Sequence, residues 1–275
     1  MIQKSKLAIL LAFRLFLATA SRNADANNLF PLTEVCQMKF AGATVLRSSL
    51  TNPSLVAEQN APSAAFSLVD HYQLKELLYL TAGIVYPNIF LPFAVHAQTF
   101  GFDDFRESLF RLAVGRKLGE HWTLGAAAQY ALLQTLLFDE QGHCLSADLG
   151  LRFAPSERFA AGLALSNIEA VSFGQGSLAM AAGSWQAQAG IDWGIVDKLH
   201  LLTAISSAQY TPFSGNIALE FAFDHTFTLS GGIRTNPWLT TFGATYTNNR
   251  FVIDVATSVH PILGLSGGVG LSIYF

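Results

Sequence analysis

The sequence predicts an all-β protein: a transmembrane antiparallel up-and-down β-barrel of about 14 strands with a short N-terminal plug. Three observations predict it: an export signal, apolar residues alternating with small or polar ones, and no helical period between the alternating stretches. The alternation is clearest at the C-terminus, where Leu265, Val269, Leu271, Ile273 and Phe275 share one face of a strand. A strand that is apolar on one side and small or polar on the other fits a wall between lipid and a polar lumen.

The bulk composition agrees with this pattern. The chain has 275 residues, of which 51% are hydrophobic and 13% are charged, and its mean hydropathy is +0.35. Soluble domains usually contain roughly 25% charged residues. After the N-terminal signal no apolar run reaches the length of about 18 residues that a membrane-spanning helix needs. High hydropathy without such a run is what alternating strands produce.

Residues 1–20 carry the pattern of a cleaved signal peptide. Two lysines precede an apolar run from Leu7 to Leu17, and Ala18-Thr19-Ala20 supplies an A-x-A cleavage site. An N-terminal membrane anchor is the alternative, but the run is short and Arg14 interrupts it. We therefore expect export to the outer membrane of a Gram-negative cell. Loss of the three cations of this segment changes the formal net charge from −3 to −6, which offers no basic face for nucleic acid.

Residues 21–60 differ from the rest because they do not alternate. They contain Ala41-Gly42-Ala43 and Thr51-Asn52-Pro53-Ser54. The segment could be a disordered periplasmic leader or a plug. A plug is favoured because side chains of the wall alone do not fill the lumen of a barrel of this size. The plug residues that the sequence singles out are Ala41, Gly42, Asn52 and Pro53.

Residues 61–275 are predicted to form the barrel. The predicted strands are 63–72, 77–87, 90–102, 105–117, 121–137, 142–154, 158–169, 182–194, 198–209, 214–224, 226–235, 238–247, 250–260 and 263–275. An even strand count places both termini on the periplasmic side. The short polar turns then all fall on that side, at 118–121, 155–158, 196–198, 224–225 and 248–250.

Charged residues on the small or polar faces are predicted to point into the lumen. A lysine or arginine facing lipid at the midplane costs roughly 2–4 kcal/mol. In a narrow lumen such groups hold a plug or pair across the barrel. A soluble β-sandwich is the alternative fold, but it would expose a more charged second face than the Gly, Ala, Ser and Thr seen here. The predicted lumen network comprises Arg111, Asp148, Arg152, Asp192, Glu220, Arg234 and Asp254.

We expect neither an enzyme nor a cofactor. Asp254, Ser258 and His260 share one face of a strand, but positions four apart are already separated by about 13 Å, and Asp254 and His260 are six apart. Asp254 therefore cannot orient His260 directly, as a catalytic triad requires, and lumen packing with a His-Pro turn is favoured. Cys36 and Cys144 show no metal-ligand spacing and are expected to be inert.

Three stretches carry a resemblance to a known family. Ala41-Gly42-Ala43 followed by Thr51-Asn52-Pro53-Ser54 resembles the plug signature G-A-…-N-P-A, with Ser54 in place of the usual alanine. Residues 106–120 resemble a fourth strand and its turn, and residues 259–275 resemble a closing hairpin. The chain thus resembles the FadL-like superfamily of outer-membrane barrels, and most closely its short PorV/PorQ-like members from Bacteroidota-type bacteria.

This resemblance implies the fold but leaves function divided. The long-chain fatty-acid channels of the superfamily have long extracellular loops, whereas the longest candidate loop here is 172–181. PorV-like proteins accept cargo in type IX secretion, and a FadL-like barrel accompanies BamA in outer-membrane assembly. The expected function is therefore that of a non-catalytic accessory subunit of such a complex. The expected partners are membrane lipids together with other outer-membrane proteins or lipoproteins, and outward-facing alanines such as Ala126 and Ala128 would let one pack closely.

Two alternatives remain. The first is FadL-like passage of small hydrophobic molecules, suggested by the apolar lumen positions Val85, Leu109 and Val252. It predicts a kink or lateral gap in a strand and a ligand-sized pocket beside the plug. The second is a lipid hydrolase built on Ser258 and His260.

Overall fold

A computed structural model of the chain describes residues 33–102, 105–135, 140–168, 170–174, 185–209 and 211–275. The predicted signal peptide and residues 21–32 of the predicted plug segment lie outside this range. So do residues 175–181 of the longest predicted loop and residues 182–184 of the predicted strand 182–194. Within it, the plug segment forms one α-helix, α1 (Val35–Lys39), and a 3-10 helix (Pro53–Glu58). No helix in these ranges is long and apolar enough to cross a membrane.

Strands account for most of the rest of the described chain. In order they are β1 (Ser63–Asp70), β2 (Leu78–Tyr86), β3 (Phe93–Phe102), β4 (Phe105–Leu118), β5 (Trp122–Thr135), β6 (Glu140–Ser156), β7 (Phe159–Ser166), β8 (Ala170–Gly174), β9 (Gln186–Val196), β10 (Leu199–Ala208), β11 (Thr211–Ala222), β12 (Phe227–Arg234), β13 (Leu239–Thr247), β14 (Phe251–His260) and β15 (Gly264–Tyr274). A further 3-10 helix, Lys75–Leu77, lies between β1 and β2.

The strands form one closed antiparallel sheet. Each ring strand pairs with the next along the chain, and β1 pairs with β15, placing Ser63 opposite Tyr274. The ring contains 14 strands, with β8 as one extra strand beside it. The predicted fold class, an up-and-down barrel of about 14 strands, is confirmed.

The two faces of the wall differ as the alternation predicts. On β11 the outer Ile217 and Leu219 are 57% and 47% exposed, whereas the inner Asn216 and Ala218 are each 1% exposed. Large apolar side chains thus cover the outside, and small or polar ones line the inside. A continuous apolar exterior of this kind is far larger than the patches that soluble proteins expose, and it fits contact with lipid.

The two rims of the barrel carry different connections. The rim where β1 begins and β15 ends, here called the terminal rim, holds all five of the short polar turns predicted to lie together. One of them is tightened by Asp224, whose Oδ1 accepts hydrogen bonds from the backbone N of Thr226 and Phe227 at 2.7 and 2.8 Å. These two donors lower the pKa of Asp224. The opposite rim is called the distal rim.

The wall departs from the prediction after β7. The predicted strand 158–169 ends in the structure at Ser166, and β8 begins beyond it. Between them Asn167 has a φ of +55°, a left-handed conformation that asparagine tolerates better than most residues. We call the segment 166–168 the wall break. The residues on both sides of Asn167 are of types typical of strands. The wall break could not be predicted from them, because the alternation of apolar and polar residues does not reveal a single left-handed residue.

Candidate functional site

The plug occupies the half of the lumen nearer the terminal rim. Its chain turns after α1 through Ala41 and Gly42, which have φ values of +52° and +84°. The carbonyl oxygen of Gly42 accepts a hydrogen bond from Gln188 Nε2 at 2.7 Å. Asn52 caps the second helix, since its Oδ1 accepts from Ser54 N at 3.1 Å. The amide of Asn52 also donates to Leu151 O of β6 at 3.2 Å, which joins the plug to the wall.

Glycines of the inner wall make room for the plug. A Cβ atom at Gly125 would overlap the backbone nitrogen of Ser54, and one at Gly150 would overlap the side-chain oxygen of Asn52. The wall and the 3-10 helix are therefore in backbone-level contact, which only glycine permits. Pro53, the remaining plug residue that the sequence singled out, begins this helix and lies against the same glycines.

Ion pairs tie the plug to several strands. Lys39 Nζ lies 2.6 Å from Asp254 Oδ1. The guanidinium of Arg47 lies 3.0 Å from both Asp192 and Glu220. Plug cations therefore meet carboxylates of the wall.

The 3-10 helix carries the opposite arrangement. Glu58 lies 3.4 Å from Arg152 and 3.5 Å from Lys117. The sequence had placed the wall charges in the lumen without their partners on the plug. The plug residues Lys39, Arg47 and Glu58 are opposite in charge to the wall residues that they contact. This complementarity was the signal from which the pairs could have been predicted.

The pair Arg111–Asp148 is buried more deeply than these. Both side chains are 0% exposed, and Arg111 Nε donates to Asp148 Oδ2 at 3.0 Å. Arg111 Nη1 also donates to the plug carbonyl of Ser49 at 2.9 Å. Asp148 Oδ1 accepts from Gln129 Nε2 at 3.0 Å and from the backbone nitrogen of Asn167 at 2.9 Å.

Arg234, the last member of the predicted network, is arranged differently. Its Nε donates to Ser214 Oγ at 3.3 Å and to Asn236 O at 3.0 Å. No carboxylate among the described residues forms an ion pair with it. The predicted network thus divides into charges that hold the plug or each other and one cation that does neither.

A cavity of about 570 Å³ lies between the plug and the distal rim. Met38, Leu50 and Thr51 of the plug contribute to its floor, and Leu109 and Tyr79 contribute apolar surface from the wall. Polar side chains lie among them, so the lining is amphipathic.

Among the described residues that line this cavity, Arg234 is the charged one. No aspartate or glutamate is among the described residues that line it. His71 also lines it, and burial lowers the pKa of His71, so this imidazole is neutral at pH 7. A single guanidinium, without a carboxylate partner in the described chain, faces an otherwise uncharged space.

The cavity extends to the wall break. The ladder between β7 and β9 ends at the pair Ser166–Gln186, and β8 pairs with β6 alone among the described residues. Ser166 and Asn167 line the cavity on one side of the break, and Gln186 and Ala187 line it on the other. Among the described residues, the ladder between β7 and β9 therefore ends where the cavity meets the wall.

The candidate catalytic residues are engaged elsewhere. Asp254 is paired with Lys39 and accepts a hydrogen bond from Thr245 Oγ1 at 2.6 Å. The Nδ1 of His260 accepts from the backbone of its own turn, and Ser258 lines the cavity. These contacts do not form a triad. The described residues contain no cluster of three or more His, Cys, Asp or Glu suited to a metal ion.

Comparison with known proteins identifies the fold. No family model and no curated protein matches the sequence. Among solved structures, the toluene transporter TodX of Pseudomonas putida matches with a TM-score of 0.63 at 9% identity, over 90% of this chain and 99% of that one. The CymD monoaromatic hydrocarbon channel matches with a TM-score of 0.61 at 10% identity, over 91% and 99%. A Pseudomonas aeruginosa FadL homologue matches with a TM-score of 0.58 at 10% identity, over 90% and 99%.

These likenesses concern the fold. The resemblance to FadL-like barrels predicted from the sequence is confirmed at that level. The narrower resemblance to PorV/PorQ-like members stays a prediction.

Proposed function

We propose that the protein is a plugged outer-membrane channel for small, largely apolar molecules, which pass between the cavity and the surrounding lipid through the wall break. The observation that carries the proposal is the contact between cavity and break, lined by Ser166 and Asn167 on one side and Gln186 on the other. The apolar exterior of the barrel supports placement in the outer membrane. The fold shared with a toluene transporter and a monoaromatic hydrocarbon channel agrees with it.

The lining of the cavity narrows the class of solute. Leu50, Leu109 and Tyr79 suit an apolar body, while Arg234 suits one polar or anionic end. A small amphiphile meets both requirements, and its volume must fit the cavity of about 570 Å³.

Obstruction of the break tests the proposal. Ala187→Trp places a bulky side chain at the β9 side of the break, and Ala128→Trp places the same side chain on the outer face of the continuous wall. Cells that express either variant at equal surface level are supplied with radiolabelled toluene or octanoate, and initial uptake is measured. We expect Ala187→Trp to reduce uptake by about tenfold and Ala128→Trp to leave it unchanged. Equal uptake by both variants, or no uptake by the unmodified protein above cells lacking it, would overturn the proposal.

A second proposal is the accessory-subunit function expected from the sequence. It is favoured by the loop between β2 and β3 at the terminal rim, where Ile89 and Phe90 are 99% and 84% exposed. Exposed apolar side chains at a rim suit contact with another envelope protein. Purification in mild detergent after crosslinking in cells tests it. A partner captured by the unmodified chain and lost in an Ile89→Ser/Phe90→Ser variant supports this function, and a lone barrel in both samples counts against it.

A further inference from the structure

The wall break and the plug meet at one buried carboxylate. Asp148 accepts hydrogen bonds from groups on three parts of the chain: Arg111 on β4, Gln129 on β5, and the backbone nitrogen of Asn167 in the break. An ionised carboxylate has about four acceptor sites, so one group can hold all three donors. We infer that Asp148 is a positioning residue that couples the plug to the wall break, so that the two change conformation together. This inference rests on the proposed function for the purpose of the coupling. The hydrogen bonds from which it is argued do not depend on that function.

The carboxylate shapes the break directly. Beyond β7 the backbone nitrogen of Asn167 bonds to Asp148 Oδ1, and backbone pairing with β6 resumes at Ile168, whose nitrogen donates to Ala147 O at 2.9 Å. The side-chain oxygen of Asn167 also accepts from Ser146 Oγ at 2.9 Å and from Gln129. A side chain thus replaces a backbone acceptor at the point where the strand leaves its regular path. Loss of the charge on Asp148 would replace the ionised acceptor of the Asn167 amide by a weaker, neutral one.

The other end of the link is the plug. The same guanidinium that binds Asp148 donates through Nη1 to Ser49 O at 2.9 Å. The connection therefore runs from a plug carbonyl through Arg111 and Asp148 to the backbone amide in the break. Arg111 Nη2 is buried and has no hydrogen-bond partner among the described residues. Burial of a donor without a partner costs free energy, so a new hydrogen bond to this group is favourable. When the plug shifts, Nη2 can therefore donate to a different carbonyl.

The other plug contacts provide a matched comparison. Lys39 binds Asp254 on β14, which pairs with β13 and β15 and is separated in the ring from β7 and β9 by other strands. That pair ties the plug to a continuous part of the wall. Arg111 and Asp148 join the plug carbonyl of Ser49 to the backbone nitrogen of Asn167 through side-chain hydrogen bonds.

One native cysteine lies in the plug and the other on β6, the strand that carries Asp148. Cys36 belongs to α1 of the plug and is half-buried. Cys144 on β6 is buried, pairs with Ser172 of β8, and packs against Ala131 and Ala170. Both are free thiols. Their rates of reaction with a water-soluble maleimide therefore report exposure of the plug and of the wall beside the break.

The experiment compares Asp148→Asn with Asp254→Asn in the full-length protein reconstituted in lipid nanodiscs. Single-cysteine versions, made with Cys36→Ser or Cys144→Ser, assign each rate. We expect Asp148→Asn to accelerate labelling of both cysteines by about tenfold, and Asp254→Asn to accelerate labelling of Cys36 alone. If Asp148→Asn exposes only one cysteine, or Asp254→Asn exposes Cys144 equally, the inference is overturned.

Folding of each variant is checked by the compact mobility of unheated barrels on gels. A second variant tests the link in case Asp148→Asn fails to fold. Arg111→Lys keeps the charge, but a single ammonium cannot reach both Ser49 O and Asp148 as the forked guanidinium does. We expect faster labelling of both cysteines in this variant as well, and an unchanged rate at either one would contradict the link. Because labelling does not involve a solute, coupled labelling without any uptake would refute the proposed function and leave the link standing.

Discussion

The two halves of the lumen are built from the same alternating strands but are filled in opposite ways. Toward the terminal rim the plug reaches the wall at backbone distance and is surrounded by ion pairs, as at Gly150 and Lys39. Toward the distal rim the same inward faces surround a cavity lined by Arg234, a cation with no carboxylate partner among the described residues. The difference shows that the small inner residues serve two purposes. Near the terminal rim they form the surface on which the plug packs, here called its seat. Near the distal rim they leave space for a solute.

The largest expected effect comes from filling the seat of the plug. Gly150→Val places a side chain where the oxygen of Asn52 lies, so we expect a loss of about 3 kcal/mol in stability, measured as a lower temperature for loss of the compact gel band. Gly267→Val is the control, because a Cβ atom there has no atom within 4 Å. Similar losses in both variants would show that the sheet, and not the seat of the plug, limits stability.

A smaller loss is expected from breaking one ion pair of the seat. Lys39→Met leaves Asp254 without its cation at a site where the two side chains are 10% and 17% exposed. We expect a loss of about 2–3 kcal/mol in the same measurement, reduced by partial exposure and the remaining hydrogen bond from Thr245. The exposed pair Arg158–Asp197 gives the contrast, since Asp197→Asn should change stability very little. A large effect of Asp197→Asn would mean that turns at the rim matter more than the plug.

The smallest effect concerns the distal half. Arg234→Gln removes the only charge of the described cavity lining without changing the seat, so we expect stability to be unchanged and binding of octanoate to weaken by about tenfold, or about 1.4 kcal/mol. Binding of toluene should stay the same. Equilibrium binding in nanodiscs measures both, with Lys117→Gln, a cation beside Glu58, as the control. Equal loss for octanoate and toluene would show that Arg234 shapes the cavity instead of binding a charge.

The barrel could be predicted from the sequence because every strand carries its own signal. A period of two, as in 265–275, identifies a strand without reference to its neighbours, and the turns fix the order. The ion partners of the plug could not be read in this way. Lys39 and Asp254 are 215 positions apart, so their contact depends on how deeply the plug is inserted and not on any local pattern. The wall break at Asn167 was missed for a related reason, since its left-handed backbone is stabilised by Asp148 from another strand.

The attachment of the plug to strands from all around the ring constrains how the chain matures. The plug precedes every strand, yet its acidic counter-ions lie on β9, β11 and β14, and the ring closes only when β15 meets β1. In an unclosed sheet Lys39 and Arg47 would therefore stay hydrated. Much of the free energy of binding between plug and wall is then gained only when the final strands pair. Closure of the ring and capture of the plug then form one cooperative event at the end of biogenesis.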